Sequence, residues 1–202
     1  YSNYSIIIKR KNLIESFLSG VLFHGLYLGG VFFSISIGMP TSIAALIVTL
    51  QPILTNILSG PILNEKVTLK QWIGVLLGFF GAALVLGLDL GSKIPLLGLV
   101  ATLIALISIT ASTIWQKKLS NNLPLSVSNF YQAIGGCFFH ILVVIFFAKP
   151  YIAFTKTFFL AMGHQIFLVS FGAFTILMFL IKKNSASKTV SIFFLIPATS
   201  AF

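Results

Sequence analysis

The sequence predicts an all-α fold, a bundle of membrane-spanning helices, from three features: composition, apolar runs and charge placement. Hydrophobic residues make up 57% of the 202 residues and charged residues only 8%, whereas ordinary soluble domains carry about 25% charged residues. A soluble fold of this size could not cover its surface with so few polar groups. The charges lie between long apolar runs. A polytopic membrane protein fits all three features.

Six apolar runs are long enough to cross the hydrocarbon core, which takes about 20 mostly apolar residues in a helix. They are approximately Phe17–Gly38, Ser42–Leu63, Trp72–Leu88, Ile94–Trp115, Val127–Ala148 and Phe158–Ile181. A seventh run begins near Thr189 and reaches Phe202, so part of a seventh helix is expected. The connections are short and rich in turn-forming and charged residues. Consecutive helices are therefore predicted to be antiparallel neighbours.

The basic residues predict how these helices are oriented, because Lys and Arg in short loops favour the cytoplasmic side. With the segment before Phe17 in the cytoplasm, the other side holds only Lys93, Lys149 and Lys156. The cytoplasmic side then holds Lys9, Arg10, Lys11, Lys66, Lys70, Lys117, Lys118, Lys182, Lys183 and Lys188. We therefore expect a multi-pass protein of a bacterial cell inner membrane with a cytoplasmic N-terminal segment. Scattered clusters at helix ends do not form the continuous basic patch that nucleic acid requires.

A weak internal repeat relates the second and seventh apolar runs at a fixed offset. The matching pairs are Ser42 with Ser187, Ile47 with Ile192, Leu50 with Leu195 and Pro52 with Pro197. Both stretches begin after a short loop and carry a proline at the same depth. The copies lie an odd number of helices apart, so they run in opposite directions. Many secondary transporters are built from such inverted repeats.

Three consecutive motifs lie between Pro40 and Gly87: a helix with a central proline, a short loop and a glycine-rich helix. They read Thr41-Ser42-Ile43-Ala44-Ala45-Leu46 with Gln51-Pro52-Ile53-Leu54-Thr55, then Leu63-Asn64-Glu65-Lys66, then Gln71-Trp72-Ile73-Gly74 with Gly78 and Gly81. Together these motifs resemble the EamA-type drug/metabolite transporters. Asn64 stands where that family usually has glycine.

The resemblance implies ten helices in two inverted five-helix repeats. Residues 1–88 would be the end portion of the first repeat, helices three to five of the family pattern. Residues 94–202 would be an incomplete second repeat, helices six to nine, since Phe130-Tyr131-Gln132 and Thr189–Pro197 also resemble it. On this mapping the 202 residues are not expected to transport alone.

The second predicted helix has the most suggestive polar face, with Thr49, Gln51 and Asn56 beside Pro52. A proline inside a helix removes one backbone hydrogen bond and frees a carbonyl. Membrane helices tolerate this where a neighbour or a water-filled cavity satisfies the carbonyl. Packing of small polar residues between helices is the alternative interpretation.

Polar residues in two other helices complete the predicted site. His24 and Tyr27 share one face of the first helix, and Gln132 lies in the fifth. We predict that these three and the three of the second helix bind substrate in one central cavity. The histidines could instead form hydrogen bonds between helices.

Glycines and prolines are assigned to helix packing rather than to substrate. Gly74-x-x-x-Gly78, followed by Gly81, would let another helix approach closely. Pro52 and Pro197, which match in the repeat, are placed in the same packing group.

The sequence thus indicates a secondary transporter, more specifically an exporter, of a small metabolite or amino acid. Its partners would be this solute and the lipid bilayer. Without a Walker motif or spaced metal-ligand sets, ATP drive, cofactors and metals are not expected. No carboxylate lies at mid-membrane depth, which argues against carboxylate-driven antiport. An intramembrane enzyme would need a catalytic pair that His24 and His140 do not form, and a structural membrane protein stays as an alternative.

Overall fold

The computed structural model describes residues 9–86, 93–120, 122–147 and 153–194, and within these ranges all regular structure is helical. In this described part of the chain, six helices are long and apolar enough to cross a membrane, so the predicted all-α, polytopic fold is confirmed. They are α1 (Arg10–Ser36), α2 (Thr41–Leu63), α3 (Leu69–Leu86), α4 (Leu96–Leu119), α5 (Leu125–Phe147) and α6 (Lys156–Lys183). A short α7 (Ala186–Val190) and a 3₁₀ turn, Ser191–Phe194, follow. Pro197 lies outside the described residues.

The helices extend past the predicted apolar runs where basic residues flank them. α1 begins at Arg10 rather than Phe17, and α4 continues through Lys117 and Lys118. Long basic side chains keep their charge at the interface while their stems cover apolar surface. Cations in the last turn of a helix also interact favourably with its dipole. Hydropathy alone therefore begins α1 too late and ends α4 too early.

Helix α4 lies at the centre of the bundle. Twelve of its 24 residues are buried, and it contacts α1, α2, α6 and α7. The hydroxyls of its buried threonines form hydrogen bonds within the helix. Thr102, Thr110 and Thr113 each donate to the carbonyl one turn earlier at 2.8 Å. Such back-bonding lets a polar side chain enter an apolar interior without an unpaired donor.

By contrast, α3, α5 and α6 present large exposed hydrophobic side chains outward, as lipid-facing helices do.

Small residues bring the backbones of α1 and α5 into contact. A Cβ atom at Gly20 would overlap the backbone carbonyl of Gln132, and one at Gly135 would overlap that of Phe17. A Cβ at Gly136 would lie 2.5 Å from the Cβ of His24. In a membrane, where apolar side chains gain little from leaving lipid, such close backbone packing drives association.

Of the three glycines predicted to pack, Gly78 makes a close contact within the described residues, and Gly74 and Gly81 do not. Cβ atoms at Gly74 and Gly81 would have no neighbour within 4 Å, whereas one at Gly78 would meet the ring of Phe194. The glycine spacing identifies a helix that can be approached closely, but it does not identify the partner or the face.

Asn64, the departure from the family pattern, is explained by its backbone. It ends α2 with φ 56°, in the left-handed region. Glycine occupies that conformation most readily and asparagine is the usual substitute. The exchange therefore preserves the turn that leads into Glu65.

Candidate functional site

Three helices depart from regular α-helical winding in the same layer of the bundle. Helix α1 is π-helical over Val21–Tyr27 and α6 over His164–Ala173. Helix α2 is interrupted at Thr49 and Leu50, between Thr41–Val48 and Gln51–Leu63. Since π-helical turns are rare and frequently lie at functional sites, this layer is where a site is expected.

A cavity of about 670 Å³ lies between these three segments, α4 and Phe194. Its volume is within the range of small-molecule sites, roughly 300–1,000 Å³. On α1 the lining runs from Phe23 to Ile35, on α2 from Thr41 to Pro52, and on α6 from Gln165 to Leu177. Helix α1 begins and α2 ends near the basic loops, whereas the cavity is lined by the last part of α1 and the first part of α2. The cavity therefore occupies the half of the bundle opposite the basic loops. We call this the cavity half.

Four of the six predicted substrate residues line this cavity: His24 and Tyr27 from α1, and Thr49 and Gln51 from α2. Pro52, predicted to pack, lines it as well and carries no N–H to donate to the carbonyl of Val48. The amide of Gln51 donates from Nε2 to Thr113 Oγ1 at 3.1 Å, and the Thr49 hydroxyl donates to the Leu46 carbonyl at 2.7 Å. Both side chains are therefore held in place by the protein itself.

Gln132 lies outside the cavity, contrary to the predicted arrangement. It is fully buried between α1, α4 and α5, where its Nε2 donates to Ser128 Oγ and its Oε1 accepts from Gln116 Nε2, both at 2.9 Å. Gln116 Nε2 also lies 3.1 Å from Ser112 Oγ, which is 2.9 Å from Ser19 Oγ. Helical periodicity placed Gln132 on an inward face but could not tell a cavity from a helix interface. We call the half of the bundle that holds this network the sealed half.

Asn56 also lies outside the cavity, at a contact between α2 and α7. Its Oδ1 accepts a hydrogen bond from the Ser187 hydroxyl. Within the described residues, its Nδ2 and the hydroxyl of the neighbouring Thr55 are buried without a hydrogen-bond partner. An orphaned buried polar atom destabilises a structure by about 1–3 kcal/mol, so this contact holds two groups that would gain from a different arrangement.

The loop between α6 and α7 is held from two directions near the basic loops. Both carboxylate oxygens of Glu65 accept from the backbone N–H of Ala186 at 3.1 Å. Lys117 Nζ donates to the carbonyls of Ile181 (2.9 Å), Lys182 (3.3 Å) and Asn184. Glu65 thereby binds the first N–H of α7.

Helix α6 contributes cavity residues that sequence reasoning missed. Gln165 and Ser170 line the cavity, and Ser170 donates to the Gln165 carbonyl at 3.1 Å. The signal was present in the sequence, since an amide and a hydroxyl lie within an otherwise apolar run.

His140 of α5 lies outside the cavity, with its Nε2 2.8 Å from the carbonyl oxygen of His24. In the described residues no three His, Cys, Asp or Glu side chains are grouped to hold a metal ion.

Comparison with known proteins agrees with this architecture. Residues 3–87 match the model of the EamA-like transporter family. The chain is 28% identical over 199 residues to a protein of Bacillus subtilis (strain 168) named "Uncharacterized transporter YvbV", covering 93% of this chain and 60% of the relative. The chain thus spans less than two thirds of the length of this curated relative. The resemblance to EamA-type transporters predicted from the sequence is confirmed.

Proposed function

Because residues 3–87 match the EamA-like transporter family, we propose that this protein is a secondary transporter that exports a small metabolite or amino acid across the bacterial inner membrane. One observation carries the proposal. A cavity of solute size lies between elements of the two predicted repeats, 1–88 and 94–202, and is bounded on one side by the sealed half. A site between two inverted repeats is the arrangement that alternating access requires.

Both predicted repeats contribute walls to the cavity. Helices α1 and α2 belong to residues 1–88, whereas α4, α6 and Phe194 belong to residues 94–202. A rocking motion of one repeat against the other would therefore change the cavity directly. The two π-helical segments and the break in α2 lie in these walls. The backbone can therefore bend at these irregular segments during the motion.

Two contacts between the repeats close the bundle at its basic end. Glu65 of the first repeat binds the backbone of Ala186, and Asn56 of the first repeat binds Ser187. We call this pair of contacts the basic-end gate. The unpartnered atoms of Thr55 and Asn56 lie at the gate. Opening would let water reach these atoms, which favours exchange between a closed and an open state.

The direction of the gate follows from the charge distribution. Ten of the 13 basic residues lie at the gate end of the bundle in the predicted topology, and this distribution supports a cytoplasmic gate. The described structure then has the cavity in the outer half and the cytoplasmic side closed. In an exporter, solute would enter after the gate opens and leave from the arrangement described here.

The test uses a disulfide across the gate. The protein expressed from its complete gene, with Asn56→Cys and Ser187→Cys in a Cys137→Ala background, is placed in liposomes loaded with a small-molecule extract of its host cells. Mass spectrometry identifies solutes that the uncrosslinked protein releases. We expect oxidation to stop that release and reduction to restore it.

The matched controls are the two single-cysteine variants treated with the same oxidant, which should continue to release solute. Release that persists in the oxidised double variant, or no release of any solute by the uncrosslinked protein, would contradict the proposal.

A further inference from the structure

The described lining of the cavity carries no formal charge. Its 21 residues include no Lys, Arg, Asp or Glu. Three of its polar groups are already engaged with the protein, because Thr49, Gln51 and Ser170 donate to Leu46, Thr113 and Gln165. A carboxylate or ammonium group entering this space would lose its hydration and find no opposite charge among the described lining residues. Such an unpaired charge is strongly disfavoured in an apolar environment.

Aromatic rings form one wall of the cavity, where α1 meets α6. The Phe174 ring lies 5.2 Å from that of Phe23 and 4.9 Å from that of His24, centroid to centroid. Phe23 also lies 5.7 Å from Tyr27. These tilted and edge-on arrangements bring four rings of α1 and α6 together at the cavity. Aromatic pairs prefer such offset and edge-on geometries, so a flat aromatic solute could join the cluster.

A few uncharged polar groups are left to orient a solute. In the described residues, the Gln165 amide, the Tyr27 hydroxyl and the His24 ring line the cavity without a side-chain hydrogen bond to the protein. Together they offer donors and acceptors at the edge of an apolar space. A predominantly apolar pocket with a few such groups selects the orientation of its ligand as well as its polarity.

We propose that this cavity binds an uncharged, planar aromatic solute with a hydrogen-bonding group at its edge. The proposal rests on the proposed transport function for its biological meaning, but the binding preference is measurable separately. It narrows the solute from metabolites and amino acids in general to molecules without a zwitterionic head. The uncharged lining, the aromatic wall and the free polar groups all favour this class.

The test uses four probes that share one ring system and differ in charge: indole (neutral), tryptamine (cation), indole-3-acetate (anion) and tryptophan (zwitterion). Calorimetric binding is measured with the protein expressed from its complete gene, in lipid nanodiscs. Empty nanodiscs are used to subtract partitioning into lipid. We expect indole to bind at least about tenfold more tightly than each charged probe.

Two phenylalanines of α6 provide a matched pair of variants. Phe174→Ala removes a ring of the cavity wall, whereas Phe171→Ala removes a ring that is 69% exposed on the same helix and outside the lining. Indole binding should fall by about tenfold in the first variant and stay unchanged in the second. Equal loss in both, or in neither, would overturn the assignment of the wall.

A third variant tests the charge argument in the other direction. Ser170→Asp places a carboxylate in the lining, and tryptamine should then bind more tightly than indole. Tighter binding of a charged probe than of indole by the unchanged protein would overturn the proposal. The proposed transport function would still be supported in that case if the disulfide experiment at the gate succeeds. Selective indole binding without any solute release would instead contradict the transport function and still support the proposed binding site.

Discussion

The two halves of the bundle are built from the same helices in different ways. In the sealed half, α1 is a regular α-helix over Arg10–Gly20, and it meets α5 backbone to backbone at Gly20 and Gly135. In the cavity half, the same helix is π-helical over Val21–Tyr27 and turns aromatic side chains toward open space. Helix α6 shows the same change, from the π-helical His164–Ala173 to a regular α-helix.

The difference lies in how each half treats its polar groups. In the sealed half, polar side chains join α1 to α4 through Ser19 and Ser112, and α4 to α5 through Gln116 and Gln132, so they hold the helices together. In the cavity half, the side chains of Gln165 and Tyr27 line the cavity and have no such partner among the described residues. A polar group satisfied by a neighbouring helix is structural, whereas one left facing a cavity is available to a solute. This distinction separates Gln132 from Gln165, although both are glutamines in apolar helices.

The orientation of the two halves in the membrane should give the largest experimental contrast. In a Cys137→Ala background, impermeant maleimide should label Lys93→Cys and Lys156→Cys in intact cells. Lys66→Cys and Lys118→Cys should react only after permeabilisation, because the loops rich in Lys and Arg are predicted to be cytoplasmic. All four positions are exposed, so failure to react cannot be ascribed to burial. The opposite labelling pattern would reverse the topology and the direction of the gate.

Glycine contacts should separate the halves by stability. Gly20→Ala forces a methyl group into the backbone of Gln132 and should lower the free energy of unfolding by about 2–3 kcal/mol. Gly74→Ala adds the same methyl group where nothing lies within 4 Å, and should change it by less than about 0.5 kcal/mol. Denaturation in mixed detergent micelles measures both. Similar values for the two variants would show that α1 and α5 are not in backbone contact.

The two glutamines provide the next comparison. Gln132→Leu removes two hydrogen bonds and leaves Gln116 with one partner fewer, so it should lower the free energy of unfolding by about 1 kcal/mol. Gln165→Leu should leave stability nearly unchanged and weaken indole binding. The same unfolding and calorimetric measurements apply to both variants. A stability loss confined to Gln165→Leu would invert the roles given to these residues.

The smallest effect is expected from the threonines. Thr113 accepts from Gln51 and donates to Ile109, so Thr113→Val should lower stability by about 1 kcal/mol. Among the described residues, the Thr49 hydroxyl bonds only to a carbonyl of its own helix, so Thr49→Val should lower the free energy of unfolding by roughly 0.3 kcal/mol. Unfolding curves for the two valine variants decide the order. A larger loss at Thr49 would mean that the break in α2 depends on its hydroxyl.

The sequence was informative about the helices and less so about their partners. Hydropathy predicted all six membrane-spanning helices, because a backbone in lipid must satisfy its own hydrogen bonds and a helix does this within one segment. It also indicated that Gln132 and Asn56 are unusual, since amides are rare in such helices. Whether each faces a cavity or another helix depends on the packing of distant segments, and periodicity within one helix carries no information about that.

The glycines illustrate the same limit. The Gly74-x-x-x-Gly78 spacing predicted a packing helix, yet the tightest contacts of the described structure involve Gly20 and Gly135. Close backbone approach needs a small residue on one helix and a complementary surface on another. Only the first half of that requirement can be seen in the sequence of one helix.

The π-helical segment of α1 has a consequence for how this protein is compared with its relatives. An α-helix turns about 100° per residue, whereas a π-helical turn accommodates additional residues. A homologue that is one residue shorter within Val21–Tyr27 could continue as a regular α-helix, with everything beyond that point rotated. An ungapped alignment through this stretch would then pair side chains that face different directions. Inferences about His24 and Tyr27 from aligned homologues need a check for such insertions and deletions first.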